Sequence, residues 1–141
     1  MDKKGFSLLE IIFVILIIAV VITTAVSKFG VAFEKTNMTK IKADILQIRA
    51  GINSYTNKMI LKSQNETLDS LDDNNEKLFN IVLNSPIIAS SENEIGNWSK
   101  ISTNQYQVYL NTENAVQFQY NNIEKTFDCD RTNTLCKELN L

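Results

Sequence analysis

Apolar positions are spread very unevenly along this chain. Between Phe6 and Val26 they form one dense block, in which every residue from Ile11 to Ile22 is apolar. Read as a helix, the block is about 31 Å long, close to the hydrocarbon thickness of a bilayer. Ile and Val are poor helix formers in water. In lipid the backbone must satisfy its own hydrogen bonds, so a helix is expected regardless. Past the block, apolar residues recur at Ile41, Ile45, Ile48, Ile52, Tyr55 and Met59. Steps that alternate four and three predict one apolar stripe along a long helix. Gly51 interrupts it at a cost of about 1 kcal/mol. A coiled-coil seam would need a longer repeat, so the stripe is expected to face a core.

Residues 63–75 are polar and acidic and predict a loop. Residues 76–84, with Leu78, Phe79, Ile81, Val82 and Leu83, predict a short helix stopped near Pro86. Period-two alternation follows. Tyr106, Val108 and Leu110 alternate with Gln107 and Tyr109, and Val116, Phe118 and Tyr120 alternate with Gln117 and Gln119. Asn111–Asn114 and Asn121–Asn122 supply turns, the second leading into a strand from Ile123 to Phe127. Trp98 is expected at the edge of the first strand or in the loop before it. One apolar sheet face and one apolar helix stripe then cover each other. The predicted fold is α+β, with a long N-terminal helix packed on a small antiparallel β-meander.

Charge and composition narrow the function. The 141 residues carry a net charge of −2, no histidine and two cysteines. No nucleophile–base set and no Gly-rich phosphate loop is present, so an enzyme is not expected. Lys28, Lys35, Lys40, Lys42 and Arg49 are interrupted by Glu34 and Asp44 and read as a solvated face. Direct binding of nucleic acid is not expected from such a balance. Asp69, Asp72 and Asp73 are weak candidates for calcium, because their run lacks the glycine and spacing of an EF-hand loop. No other cofactor is expected. Cys129 and Cys136 cannot make a four-ligand zinc site alone. In an exported domain they would form a short disulfide, and in a reducing compartment two thiols. Sequons at Asn37, Asn65 and Asn97 carry no weight in a chain so rich in Asn, Ser and Thr.

The apolar block admits three readings. A conventional signal peptide would need a better cleavage site than Thr23-Thr24-Ala25. A plain single-span anchor leaves Glu10 unexplained, since a carboxylate inside an apolar span costs a few kcal/mol and marks a functional position. The third reading accounts for both the basic start and the glutamate. Cleavage at Gly5 would expose an amine one helical turn from Glu10. In a stack of identical spans, the Glu10 carboxylate would pair with a neighbour's Phe6 ammonium and neutralise two charges in an apolar setting. A pair within one chain is the competing geometry.

Gly5-Phe6-Ser7-Leu8-Leu9-Glu10 followed by an apolar helix resembles the processing site of type IV prepilins and type II secretion pseudopilins. The resemblance implies that a prepilin peptidase cuts between Gly5 and Phe6 and methylates the new Phe6 amine, with Glu10 as the family's assembly glutamate. It implies a cleaved leader over 1–5, a transmembrane and polymerisation helix over 6–26, its amphipathic continuation over 27–62 and a globular periplasmic part over 63–141, as in a pilin-like lollipop fold. It also implies a single pass of a bacterial inner membrane with the N-terminus cytoplasmic. The partners implied are the lipid bilayer, an inner-membrane assembly platform and other pseudopilin subunits of the same or different kind. The function implied is a structural subunit of a filament for type II secretion, for DNA uptake in natural transformation, or of a pilus. Many major pilins carry proline and glycine where this chain has Ser27 and Ala19, which keeps a minor or priming subunit in view. A membrane-anchored binding module that does not polymerise is the alternative.

Overall fold

A computed structural model describes residues 8–63, 67–73, 76–111 and 113–139, and within 26–35 the backbone alone. The first element is helix α1, Leu8–Leu61. It contributes to two compact units, residues 1–36 and residues 37–141.

In the first unit, Leu8–Ala25 is long and apolar enough to cross a membrane, and none of that stretch is buried. Apolar side chains project all round the helix, from Leu8 and Leu9 through Phe13 and Leu16 to Ile22. A helix of this kind requires an apolar surrounding. Thr23 and Thr24 donate their hydroxyls to the carbonyls of Val20 and Val21, so neither leaves a bare polar group beside the span.

The second unit contains the remainder of α1. Ile41, Ile45, Ile48 and Ile52 are fully buried, with Met38 and Tyr55 packed at the margin. The expected stripe is therefore a core face from Ile41 to Tyr55, with Met59 half-buried outside the core cluster. It is covered by a four-stranded antiparallel sheet in the order β3-β4-β5-β6. These strands are Trp98–Ser102, Gln105–Tyr109, Ala115–Asn121 and Thr126–Cys129. A two-stranded ribbon, β1 (Lys77–Leu78) with β2 (Ile87–Ile88), lies ahead of them in the chain, and a short helix α2, Thr134–Leu139, follows. The α+β architecture, an apolar N-terminal helix with a small antiparallel sheet, is the pilin-like arrangement expected above.

Asparagine builds the turns. Asn111 Oδ1 accepts from the amides of Glu113 and Asn114 between β4 and β5. Asn121 Oδ1 accepts from Ile123 and Glu124 between β5 and β6. Asn104 adopts a left-handed conformation (φ 65°) in the β3–β4 turn, one that Asn tolerates better than most residues. Asn133 Oδ1 accepts from Leu135 and caps α2.

Four expectations need correction. Residues 76–84 do not form a helix. Glu76 to Leu78 lead into the ribbon, and residues 79–83 make a compact turn closed by the Leu83 amide on the Phe79 carbonyl, with Phe79 at φ 61°. The last strand begins at Thr126, because the Asn121 turn occupies the Ile123 and Glu124 amides and leaves Ile123 in solvent. Trp98 is no edge residue in packing terms. It opens β3, a strand the alternation missed, and is fully buried beside Phe79, Phe118 and Phe127. Finally, Lys40 and Arg49 are not simply solvated. Lys40 donates to the Gly96 carbonyl, and Arg49 donates to the Phe127 carbonyl and pairs with Asp128.

Gly51 now has a reason. A Cβ there would stand 2.5 Å from the Val82 carbonyl oxygen. The loss of helix propensity is accepted because the 79–83 turn presses its backbone against α1 at this point.

Candidate assembly segment

The residues expected to carry processing, Gly5 and Phe6, lie outside the described residues. Glu10 stands in the first turn of α1. Leu8 and Leu9 precede it and Ile11 follows, all with large exposed surfaces. Glu10 is itself exposed, and no ion-pair partner for it stands among the described residues. On insertion scales a carboxylate at the centre of such a span costs about 2.5–3.5 kcal/mol, less near the end. Glu10 is at the end.

In the second unit the structure separates the three carboxylates considered for calcium. Asp72 is buried, accepting from the Tyr106 hydroxyl at 2.6 Å and from the Lys100 ammonium. Its backbone is fixed by Ser70, whose hydroxyl donates to the Asp72 carbonyl. Asp73 is exposed, accepts from the Asn80 side chain and receives the Asn80 carboxamide oxygen on its own amide. The Asp69 carbonyl accepts from Asn104. Among the described residues no group of three or more His, Cys, Asp or Glu is placed to hold a metal ion. Asp72 ties the irregular 67–73 segment to β3 and β4 through Lys100 and Tyr106. Nothing in the hydrophobic pattern distinguishes it from its acidic neighbours.

Burial sets the acid–base character of this unit. The Tyr106 hydroxyl is held well above its ordinary range by burial and by the adjacent Asp72 carboxylate. Tyr120, donating to the Leu68 carbonyl at 2.9 Å, is pushed up to about 12 by burial and by the charge of Asp69. Burial also raises the Asp44 carboxyl, partly offset by the Trp98 indole N–H that donates to it at 3.1 Å and by Lys40. The Asp44–Trp98 bond fastens α1 to the start of β3.

Cys129 and Cys136 form a disulfide with Cα atoms 6.0 Å apart. It joins the end of β6 to α2, whose Leu139 is fully buried in the core. The Asn97 side chain donates to the Ser90 hydroxyl and the Glu92 carbonyl.

Residues 1–26 match the family model of the prokaryotic N-terminal methylation motif, the prepilin-type cleavage and methylation motif of type IV pilins and pseudopilins. The match covers Gly5, Phe6, Glu10 and the apolar span together. No curated protein and no solved structure matches the chain.

Proposed function

From a chain that opens on the prepilin-type methylation motif and continues into an apolar helix with a small sheet domain, we infer a filament subunit. Prepilin peptidase removes residues 1–5 and methylates the amine of Phe6. The mature subunit waits in the inner membrane as a single-pass protein with its sheet domain in the periplasm. It then leaves the bilayer to pack its helix among those of other subunits in the pseudopilus of a type II secretion or natural-transformation machine. The observation that carries the reading is the coincidence in one segment of the motif, Glu10 and an otherwise apolar span.

The physical logic is a choice between two apolar surroundings. In lipid, the Leu8–Ala25 surface is satisfied and Glu10 is the costly residue. In a bundle of like helices the same surface is satisfied, and Glu10 gains the Phe6 ammonium of a neighbour. Methylation leaves that amine basic, so the pair survives it. Charge neutralisation therefore favours the filament register over misaligned ones.

Replacing Glu10 by leucine tests this. The subunit is expected to insert, to be processed and to fold, and to be absent from filaments in which the parent is incorporated. Normal incorporation of Glu10→Leu would remove the Glu10–Phe6 pair from the assembly account, and a parent that is itself absent from filaments would leave a membrane-anchored binding module as the better description.

A further inference from the structure

We propose that the outer face of the sheet, with the cleft at its β3 edge, binds a neutral oligosaccharide. Directly opposed residues in antiparallel strands share a face. Gln107 opposes Ser99 on one side and Gln117 on the other, and Gln105 opposes Ser102 and Gln119. Four of the chain's six glutamines thus stand in one block. The core-facing residues Tyr106, Val108, Val116 and Phe118 lie on the opposite face. Every outer-face position of β4 and β5 is uncharged: Gln105, Gln107, Tyr109, Ala115, Gln117, Gln119 and Asn121. A solvated sheet face ordinarily mixes both signs of charge. On these two strands it presents four glutamine carboxamides with Asn121, Tyr109 and Ala115, spaced about 5 Å across strands and about 7 Å along them. The one charge beside them on β6, Asp128 opposite Gln119, is paired with Arg49.

Beside this face lies an open cleft of about 650 Å³, lined by Ser90, Ser91, Ser99, Ser102 and Thr103 with the apolar Ile101. The volume falls within the range of small-ligand sites, about 300–1,000 Å³. The Ser99 hydroxyl is buried and has no hydrogen-bond partner among the described residues. A native hydroxyl in that position calls for an explanation, and a ligand in the cleft is one. The charged lining groups carry opposite sign: Glu76 and Lys100, the latter held by Asp72. The lining as a whole therefore favours neither anion nor cation. Hydroxyl and carboxamide groups both donate and accept, which suits a polyhydroxylated ligand, and the partly exposed Ile101 offers a sugar ring an apolar contact.

The obvious competitor is an extended peptide adding to the free edge of β3. The β-bulge between Lys100 and Ser102 breaks the register there, and bulges twist an edge away from further pairing. The Trp98 carbonyl is already taken by the Ser90 amide. Recognition by side chains is therefore favoured over recognition by backbone.

The full chain, held in lipid nanodiscs free of sugar-headed detergent, would be titrated with the tetramers of N-acetylglucosamine and of glucose. Binding would be followed by calorimetry and by saturation-transfer NMR. One or both tetramers are expected to bind saturably. Ser99→Ala and Gln107→Ala are each expected to weaken binding about five- to tenfold, the effect of losing a hydrogen-bonding group. Ser99→Ala should leave the melting temperature unchanged or raised, which a structural role for that hydroxyl would not. The proposal is overturned if neither tetramer binds up to about 10 mM, or if both variants bind like the parent. It is also overturned if an unrelated extended tetrapeptide binds there in preference, with the Lys100 amide resonance moving most.

Discussion

Replacing Asp72 by alanine would remove the acceptor that holds Lys100 and Tyr106 together. The Asp72 side chain is fully buried and that of Lys100 is 19% exposed. Alanine would leave an ammonium and a phenol facing a low-dielectric core without their partner. Breaking a buried pair from one side costs about 3–5 kcal/mol. The residual exposure of Lys100 places the expectation in the lower half of that range. Against a total stability of about 5–15 kcal/mol, this is a large share. For a domain of roughly a hundred residues, each kcal/mol moves the melting temperature by about 4–8 °C, so a fall of at least about 12 °C is expected. Near-UV circular dichroism in the tryptophan band is the suitable assay, because Trp98 sits in the core and the apolar span holds no Trp or Tyr. Asp72→Asn keeps an acceptor for Tyr106 and should fall between parent and alanine. Asp72→Leu combined with Lys100→Met should recover part of the loss, since an apolar pair leaves no orphaned charge. Asp73→Ala, at an exposed position, should cost less than about 1 kcal/mol. The reasoning fails if Asp72→Ala and Asp73→Ala melt alike. It fails as well if calcium raises the melting temperature of the parent and Asp72→Ala abolishes that rise, for then the carboxylate is a cation ligand.

Three further outcomes follow from the same core. Gly51→Ala sets a helix-propensity gain of about 1 kcal/mol against overpacking of about 1–3 kcal/mol. The obstacle is a backbone carbonyl, so the variant should be less stable in chemical denaturation. Asp44 is raised above its ordinary 3.8 chiefly by burial, so its contribution is fully present below about pH 3.8. That contribution is lost as pH rises through the folded value. Asp44→Asn, which can still accept from Trp98, should therefore gain on the parent between pH 4 and pH 7 in thermal melts. Tyr120 titrates at about 12 in the folded state against an ordinary value of about 10. Stability should hold below about pH 10 and decline between 10 and 12. Tyr120→Phe should flatten that alkaline decline when melts are taken across the range.

Much of this fold was legible because two periodicities carried it. The Ile41, Ile45, Ile48 and Ile52 stripe and the alternation of Tyr106–Tyr109 and Val116–Tyr120 each report one covered face, and each is buried as expected. β3 escaped because Trp98-Ser99-Lys100-Ile101-Ser102 carries a bulge, and a bulge destroys the alternation that would reveal it. Residues 76–84 misled for the opposite reason. A cluster of apolar side chains resembles a helix when the chain reaches the core by a tight turn, and Phe79 in a left-handed conformation leaves no mark on the pattern. Long-range polar contacts were invisible in principle. Asp72 with Lys100 and Asp44 with Trp98 join residues 28 and 54 positions apart. The assembly segment was the most legible part, because its motif is contiguous and needs no tertiary contact to be recognised.

The central claim rests on one covalent event. The N-terminal peptide mass of the mature protein, isolated from its native host with and without prepilin peptidase, tests it most directly. The account predicts a peptide that begins at methylated Phe6 and disappears when the peptidase is absent. An intact Met1 in the presence of the peptidase would contradict it, as would a chain that begins after the apolar span.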